Sequence, residues 1–164
     1  MARVWLGLGS NQRRYFHINA ALDALQQQFG ELVISPVYES AAIGFDGEPF
    51  LNLVVGIETE LALGDLTQWL KALEDRYHRA RHAPRLGDKT LDIDILTYAD
   101  WVGDFDGVVL PREEITCNAF VLWPLSDVAG DEHHPVLARP YGKLWQSFDK
   151  SSQQLAPVPF RRQL

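Results

Sequence analysis

Residues 90–98 read Thr90-Leu91-Asp92-Ile93-Asp94-Ile95-Leu96-Thr97-Tyr98. Apolar and acidic residues alternate with a period of two, the pattern of a strand with one buried face. Leu91, Ile93 and Ile95 enter the core. Asp92 and Asp94 share the other face, about 7 Å apart at Cα. Working back from this strand, residues 64–77 predict a helix, with Leu66, Trp69, Leu70, Leu73 and Tyr77 on one side. Asp65 in its first turn and Arg76 near its end suit the helix dipole. Residues 50–58 (FLNLVVGIE) predict a strong strand, and 41–49 (AAIGFDGEP) a mobile loop. Residues 31–38 predict a strand that Pro36 confines to an edge or interrupts. Ile18, Ala21, Leu22, Leu25 and Phe29 mark an amphipathic helix over 15–29, closed by Gly30. Residues 3–8 predict a first strand, ending in a Gly9-Ser10-Asn11 turn.

The order is therefore β-α-β-β-α-β, which predicts an α+β ferredoxin-like sandwich with extra C-terminal elements. Those extras are an acidic turn at 100–107, a short strand at 108–110, a helix or strand at 119–129, and a short helix at 140–149. After Ser151 the chain is expected to fray. The five tryptophans lie mostly in apolar runs and are expected in the core.

A chain of 164 residues is long enough for one domain over 1–164 and too short for a second. No apolar run approaches the about 20 residues of a membrane span. The N-terminus runs into a strand pattern without a secretory h-region, and Cys117 alone cannot form an internal disulfide. These features predict a cytoplasmic protein. The net charge of −7 disfavours a general nucleic-acid binder. Yet Arg76, Arg79, Arg81, Arg85 and Lys89 crowd into residues 76–89. An acidic protein with one concentrated basic segment suits a small polyanion.

Two carboxylates this close repel unless a cation accompanies them, and hard oxygen donors suit Mg²⁺. Arginine forks bind phosphate oxygens bidentately. Together the two features fit a nucleoside triphosphate with its metal. Read alone, the aspartates are equally an exposed polar strand face, and the arginines a solvated charge run. Phe50 and Asn52, at alternate strand positions, offer an aromatic and an amide to a flat heterocycle. Glu74 is suited to a nucleotide hydrogen bond, to bracing an arginine, or to a plain surface role. His133-His134 reads as a surface pair, Cys117 lacks a histidine partner, and Gly7-Leu8-Gly9-Ser10-Asn11 lacks the P-loop pattern.

Taken together, the sequence resembles the 6-hydroxymethyl-7,8-dihydropterin pyrophosphokinase family over roughly residues 3–149. The resemblance rests on Gly9-Ser10-Asn11, Tyr38, Phe50-Leu51-Asn52, Glu74, Leu91-Asp92-Ile93-Asp94-Ile95 and Phe120-Val121-Leu122-Trp123-Pro124-Leu125. It implies a ferredoxin-like fold, ATP as co-substrate, two Mg²⁺ ions, and transfer of diphosphate to the pterin hydroxymethyl group with release of AMP. Matched by position, Asp92 and Asp94 would hold the metal. Phe50 and Phe120 would stack on the pterin, Asn52 would bond its ring edge, and Ser40 and Ile43 would lie in the loop beside it. Glu74, Arg81, Arg85 and Arg112 would meet the nucleotide, and Arg79 and Lys89 the reacting phosphates. The implied partners are pterin and ATP, with no nucleic acid and no membrane, acting on a monomer.

The sequence departs from the family pattern at several positions. Gly87-Asp88-Lys89 replaces a usual Gly-Pro-Arg, Leu86 a usual aromatic, Arg112 a usual histidine and Asn118 a usual arginine. Lys89 keeps the charge without the fork. These changes leave open a non-catalytic or reassigned paralogue that binds a pterin, a nucleotide or both.

Overall fold

The computed structural model describes residues 1–42, 47–77 and 89–162. Its main sheet runs β5-β1-β4-β3-β8, with neighbours antiparallel and β2 also paired to β4. The strands are β1 (Ala2–Ser10), β2 (Val33–Ile34), β3 (Val37–Ser40), β4 (Phe50–Thr59), β5 (Asp92–Tyr98) and β8 (Leu155–Val158). Helices α1 (Arg14–Phe29) and α2 (Leu63–Arg76) complete the expected β-α-β-β-α-β unit. A separate hairpin pairs β6 (Gly103–Phe105) with β7 (Val108–Leu110).

Period-two patterning decides which residues go where. Val4, Leu6 and Leu8 of β1, Leu51, Leu53, Val55 and Ile57 of β4, and Ile93 and Ile95 of β5 face one side. There they pack against Ile18, Leu22 and Leu25 of α1 and Leu66, Leu70 and Leu73 of α2. The opposite face carries Trp5, Val54 and Leu96, covered by the C-terminal helices α3 (Glu114–Cys117), α4 (Ala119–Ala129) and α5 (Tyr141–Ser147). Leu96 reaches this face because the β1–β5 register shifts there: Trp5 pairs with Thr97 and Leu6 with Ile95, leaving Leu96 as an extra residue.

Several expectations need correction. The chain after Ser151 is not frayed, because Leu155–Val158 pairs residue for residue with β3. That strand's outer edge would otherwise present unpaired backbone groups. β1 continues through Ser10 instead of turning at Gly9. Residues 31–38 do form a strand interrupted at Pro36, as expected, divided into β2 and β3, and Ser35 keeps hold of β4: its Oγ accepts the Val54 N–H at 2.8 Å. Of the two forms expected for 119–129 the segment takes the helical one, with Pro124 inside it. Of the five tryptophans only Trp5 is buried; Trp69, Trp123 and Trp145 are half-buried, and Trp101 is exposed. His134 is not at the surface. It is buried, and its Nδ1 accepts the Val136 and Leu137 N–H groups at 3.2 and 3.1 Å.

Candidate functional site

At one end of the second sheet face, Trp5 and Val54 are covered by the C-terminal helices. At the other end the register brings the candidate residues into rows. Gly9 of β1 pairs with Asp92 on one side and with Asn52 on the other. Gly7 pairs with Asp94 and with Val54. Tyr38 pairs with Asn52, and Ser40 with Phe50. The carboxylates and the amide therefore sit on the same face two strands apart, roughly 9.6 Å between backbones. Between them the central strand contributes only glycine. A Cβ on Gly9 would lie 3.4 Å from Asn52 Oδ1 and 3.8 Å from Phe50 Cδ1, directly over this floor.

The amide end is tied down. Asn52 and Ser40 are both buried, and Asn52 Nδ2 donates to Ser40 Oγ at 2.7 Å. Tyr38 is buried beside them; its ring lies 4.4 Å from Trp123, and its hydroxyl donates to Asp127. Burial and the Asp127 carboxylate hold the Tyr38 phenol above its ordinary range. Phe120, the second residue of α4, is half-buried against the helical layer, and Phe50 is half-buried at the start of β4. A cavity of about 710 Å³ opens next to Ser40, with Trp123, Trp145, Lys150 and Gln153 in its wall.

The carboxylate end is braced from behind. Glu74 of α2 is 3% exposed, and its Oε2 accepts the Ile93 N–H at 2.8 Å. That bond lands on the residue between the two aspartates and fixes the outer edge of β5. Glu74 is thus neither a surface residue nor turned wholly to a ligand. Arg112 follows the cis peptide Leu110–Pro111. Its Nη2 lies 3.4 Å from Asp94 Oδ1 and its Nε 2.9 Å from Glu114 Oε2. Burial, then the charge of Asp92, push Asp94 from the ordinary 3.8 up to about 7; Arg112 opposes this, and Glu74 and Glu114 add to it.

The donor set fits Mg²⁺. Mg²⁺ binds through one or two carboxylates and keeps water or substrate phosphate in its remaining positions. An acid pushed up by burial and by the neighbouring charge of Asp92 is one that a divalent cation would relieve. Among the described residues no group of three or more His, Cys, Asp or Glu converges.

Asn11, quoted only as part of a motif, has a structural task that sequence reasoning missed. It is buried where β1 ends. Its Oδ1 accepts the Lys89 N–H at 2.7 Å, its own N–H donates to the Lys89 carbonyl at 3.0 Å, and its Nδ2 donates to the Glu48 carbonyl at 3.1 Å. One side chain therefore anchors Lys89 and Glu48 side by side. Ile43, Arg79, Arg81 and Arg85 lie outside the described residues, as do Leu86, Gly87 and Asp88. The glycines at 7 and 9 were the available signal for an open floor, since glycine inside a strand marks close approach by something else.

An antiparallel ferredoxin-like sheet with paired carboxylates at one end of an open face and a fixed amide at the other defines an α+β domain built for small ligands. Its acidic end suits a hard cation with phosphate. The family model of 7,8-dihydro-6-hydroxymethylpterin-pyrophosphokinase (HPPK) matches residues 5–130, and the chain belongs to that family. It is 37% identical over 137 residues to the 2-amino-4-hydroxy-6-hydroxymethyldihydropteridine pyrophosphokinase of Pseudomonas aeruginosa, covering 81% of this chain and 84% of that protein. With the protein of the same name from Aquifex aeolicus it shares 34% identity over 142 residues, 85% of this chain and 88% of the relative. Among solved structures, wild-type HPPK-DHPS of Plasmodium falciparum superposes with a TM-score of 0.70 over 88% of this chain. This chain spans 44% of that longer one, and at 15% identity the likeness speaks for the fold. Among the described residues no helix is long and apolar enough to cross a membrane.

Proposed function

We propose that this protein transfers diphosphate from ATP to the hydroxymethyl group of 6-hydroxymethyl-7,8-dihydropterin, releasing AMP, as a step of folate biosynthesis. The observation that carries the reading is the row Asp92–Gly9–Asn52, with an acidic cation site and an oriented amide on either side of a bare backbone floor. Membership of the HPPK family supports it.

In this reading Asn52, oriented by Ser40, hydrogen-bonds the edge of the pterin. Phe50 and Phe120 stack on its faces, and Ile43 borders it. Asp92 and Asp94 hold two Mg²⁺ ions, which when bound neutralise and align the triphosphate. Arg81, Arg85 and Arg112 take the nucleotide, with Glu74 behind β5. Arg79 and Lys89 take the charge that develops on the transferred group. The pterin hydroxyl oxygen attacks the β-phosphorus and releases its proton to solvent, the bond from that phosphorus to the oxygen bridging it to the α-phosphorus breaks, and AMP departs with that oxygen. Rate then comes from positioning and electrostatics rather than from a covalent intermediate. We expect a cytoplasmic monomer that takes only these small-molecule substrates.

The test incubates the protein with ATP, Mg²⁺ and 6-hydroxymethyl-7,8-dihydropterin and resolves the nucleotide product. AMP that appears only with pterin supports the proposal. Absence of AMP while calorimetry still shows pterin binding replaces it with a non-catalytic binder.

A further inference from the structure

Helices α3 and α4 are joined by a single residue. Asn118 has an extended backbone (φ −120°, ψ 122°), ends α3 and precedes the first residue of α4. Its own side chain makes no cap to the helix it introduces. In an extended residue, the carbonyl before it and the N–H after it point the same way, so both Cys117 C=O and Ala119 N–H need a partner on one side. Gln153 supplies it from the C-terminal segment. Its Oε1 accepts the Ala119 N–H at 2.7 Å, and its Nε2 donates to the Cys117 carbonyl at 2.8 Å. One carboxamide thus closes a paired hydrogen-bonded ring on the joint, 34 and 36 residues away in sequence. Phe120 is the next residue along.

The segment bearing Gln153 is fixed in turn. Two residues on, β8 begins, and its Leu155 pairs with Ser40, the partner of Asn52. Gln153, Trp123 and Ser40 line one cavity. The C-terminal segment lies beyond residues 5–130, where the family match ends. It nonetheless meets both sides of the proposed acceptor site, bonding Ala119, the residue before Phe120, on the helical side and pairing with Ser40 on the sheet side.

We infer that Gln153 is a positioning residue for the pterin site, acting through the Cys117–Ala119 joint to set where Phe120 stands. The inference rests on the reading that Phe120 stacks on the acceptor. Replacing Gln153 by methionine keeps the length and removes both hydrogen bonds; replacing it by glutamate keeps the acceptor for Ala119 N–H and loses the donor to Cys117.

The experiment measures KM for pterin and for ATP in four proteins: wild type, Gln153→Met, Phe120→Ala and the double variant. Gln153→Glu and thermal melting serve as companions. Gln153→Met is expected to raise the pterin KM about five- to tenfold, the loss of two ordinary hydrogen bonds from an oriented group. The ATP KM should stay within about twofold, and Gln153→Glu, whose carboxylate would face the Cys117 carbonyl oxygen, should raise the pterin KM at least as much as Gln153→Met. In the Phe120→Ala background, Gln153→Met should add nothing to the pterin KM. Additive effects, an equal rise in the ATP KM, or an unchanged pterin KM would each overturn the assignment. If wild type itself neither turns over nor binds pterin, the proposed function fails, and the role of Gln153 fails with it. A wild type that turns over beside an unaffected Gln153→Met rejects Gln153 alone.

Discussion

Asp94→Asn offers a test of the carboxylate pair that needs no substrate. In the folded protein Asp94 is raised from 3.8 to about 7. Between those values the folded state holds a proton that the unfolded chain has lost, so stability falls as pH rises through the window. Below pH 3.8 both states are protonated and the penalty vanishes; above 7 it is complete. The full shift of about three units corresponds to about 4 kcal/mol. The Asp94 side chain, however, keeps 35% of its exposure, and solvent screening of such a group leaves about 1–2 kcal/mol. Asparagine carries no charge, so the variant should be more stable than wild type by that amount at pH 8 and nearly equal to it at pH 4. Urea unfolding of both proteins at pH 4, 6 and 8, with divalent cations chelated, reads the difference directly. At this chain length it also appears as a rise in Tm of roughly 2–8 °C at pH 8. Added Mg²⁺ should then stabilise wild type at pH 8 and not the variant. A variant that is less stable than wild type at pH 8, or a difference that does not grow with pH, would show that burial and the neighbouring carboxylates impose no such penalty.

The same substitution should lower AMP formation by about 10²–10³-fold while calorimetry shows pterin affinity little changed, since the lost group lies two strands from Asn52. Gly9→Ala should fold normally, its Cβ meeting Asn52 Oδ1 at 3.4 Å, but should weaken pterin binding by placing a methyl group on the floor; unchanged affinity would move the ligand off that strand. Gly56→Ala should destabilise by about 1–3 kcal/mol in urea unfolding, because its Cβ would stand 2.5 Å from Trp5 Cζ3. Glu74→Ala should cost about 1–3 kcal/mol by stranding the buried Ile93 N–H, whereas Glu74→Gln, which keeps an acceptor oxygen, should recover much of it.

The ferredoxin-like order was legible because each strand and helix of the core carries its own period. Ile93 and Ile95 against Asp92 and Asp94, or Leu66, Leu70 and Leu73 along α2, can be sorted by local pattern alone. β8 was not legible. Leu155-Ala156-Pro157-Val158 is short and proline-bearing, and becomes a strand only because β3 presents an edge to it. Asp92, Asp94 and Asn52 could be picked out by spacing and by resemblance, but their relation to one another depends on register, which brings Gly9 between them. Glu74 and Gln153 were harder still. Each meets a backbone group distant in sequence, and nothing local to either residue announces that partner.

The two ends of the main sheet are closed by different means, and this bears on how the molecule behaves among its own copies. At one end, α2 reaches over and occupies the outward Ile93 N–H of β5 through Glu74. At the other, the last strand laid down is β8, in which Pro157 has no N–H to offer and Pro159 follows directly after the strand. A foreign strand seeking to extend the sheet meets a spoken-for donor on one flank and a missing donor on the other. A chain shortened before Leu155 would lose the second safeguard and leave β3, with Ser40 on it, bare along its length. Such a truncated form should self-associate through that flank, so concentration-dependent aggregation would accompany the loss of its acceptor site.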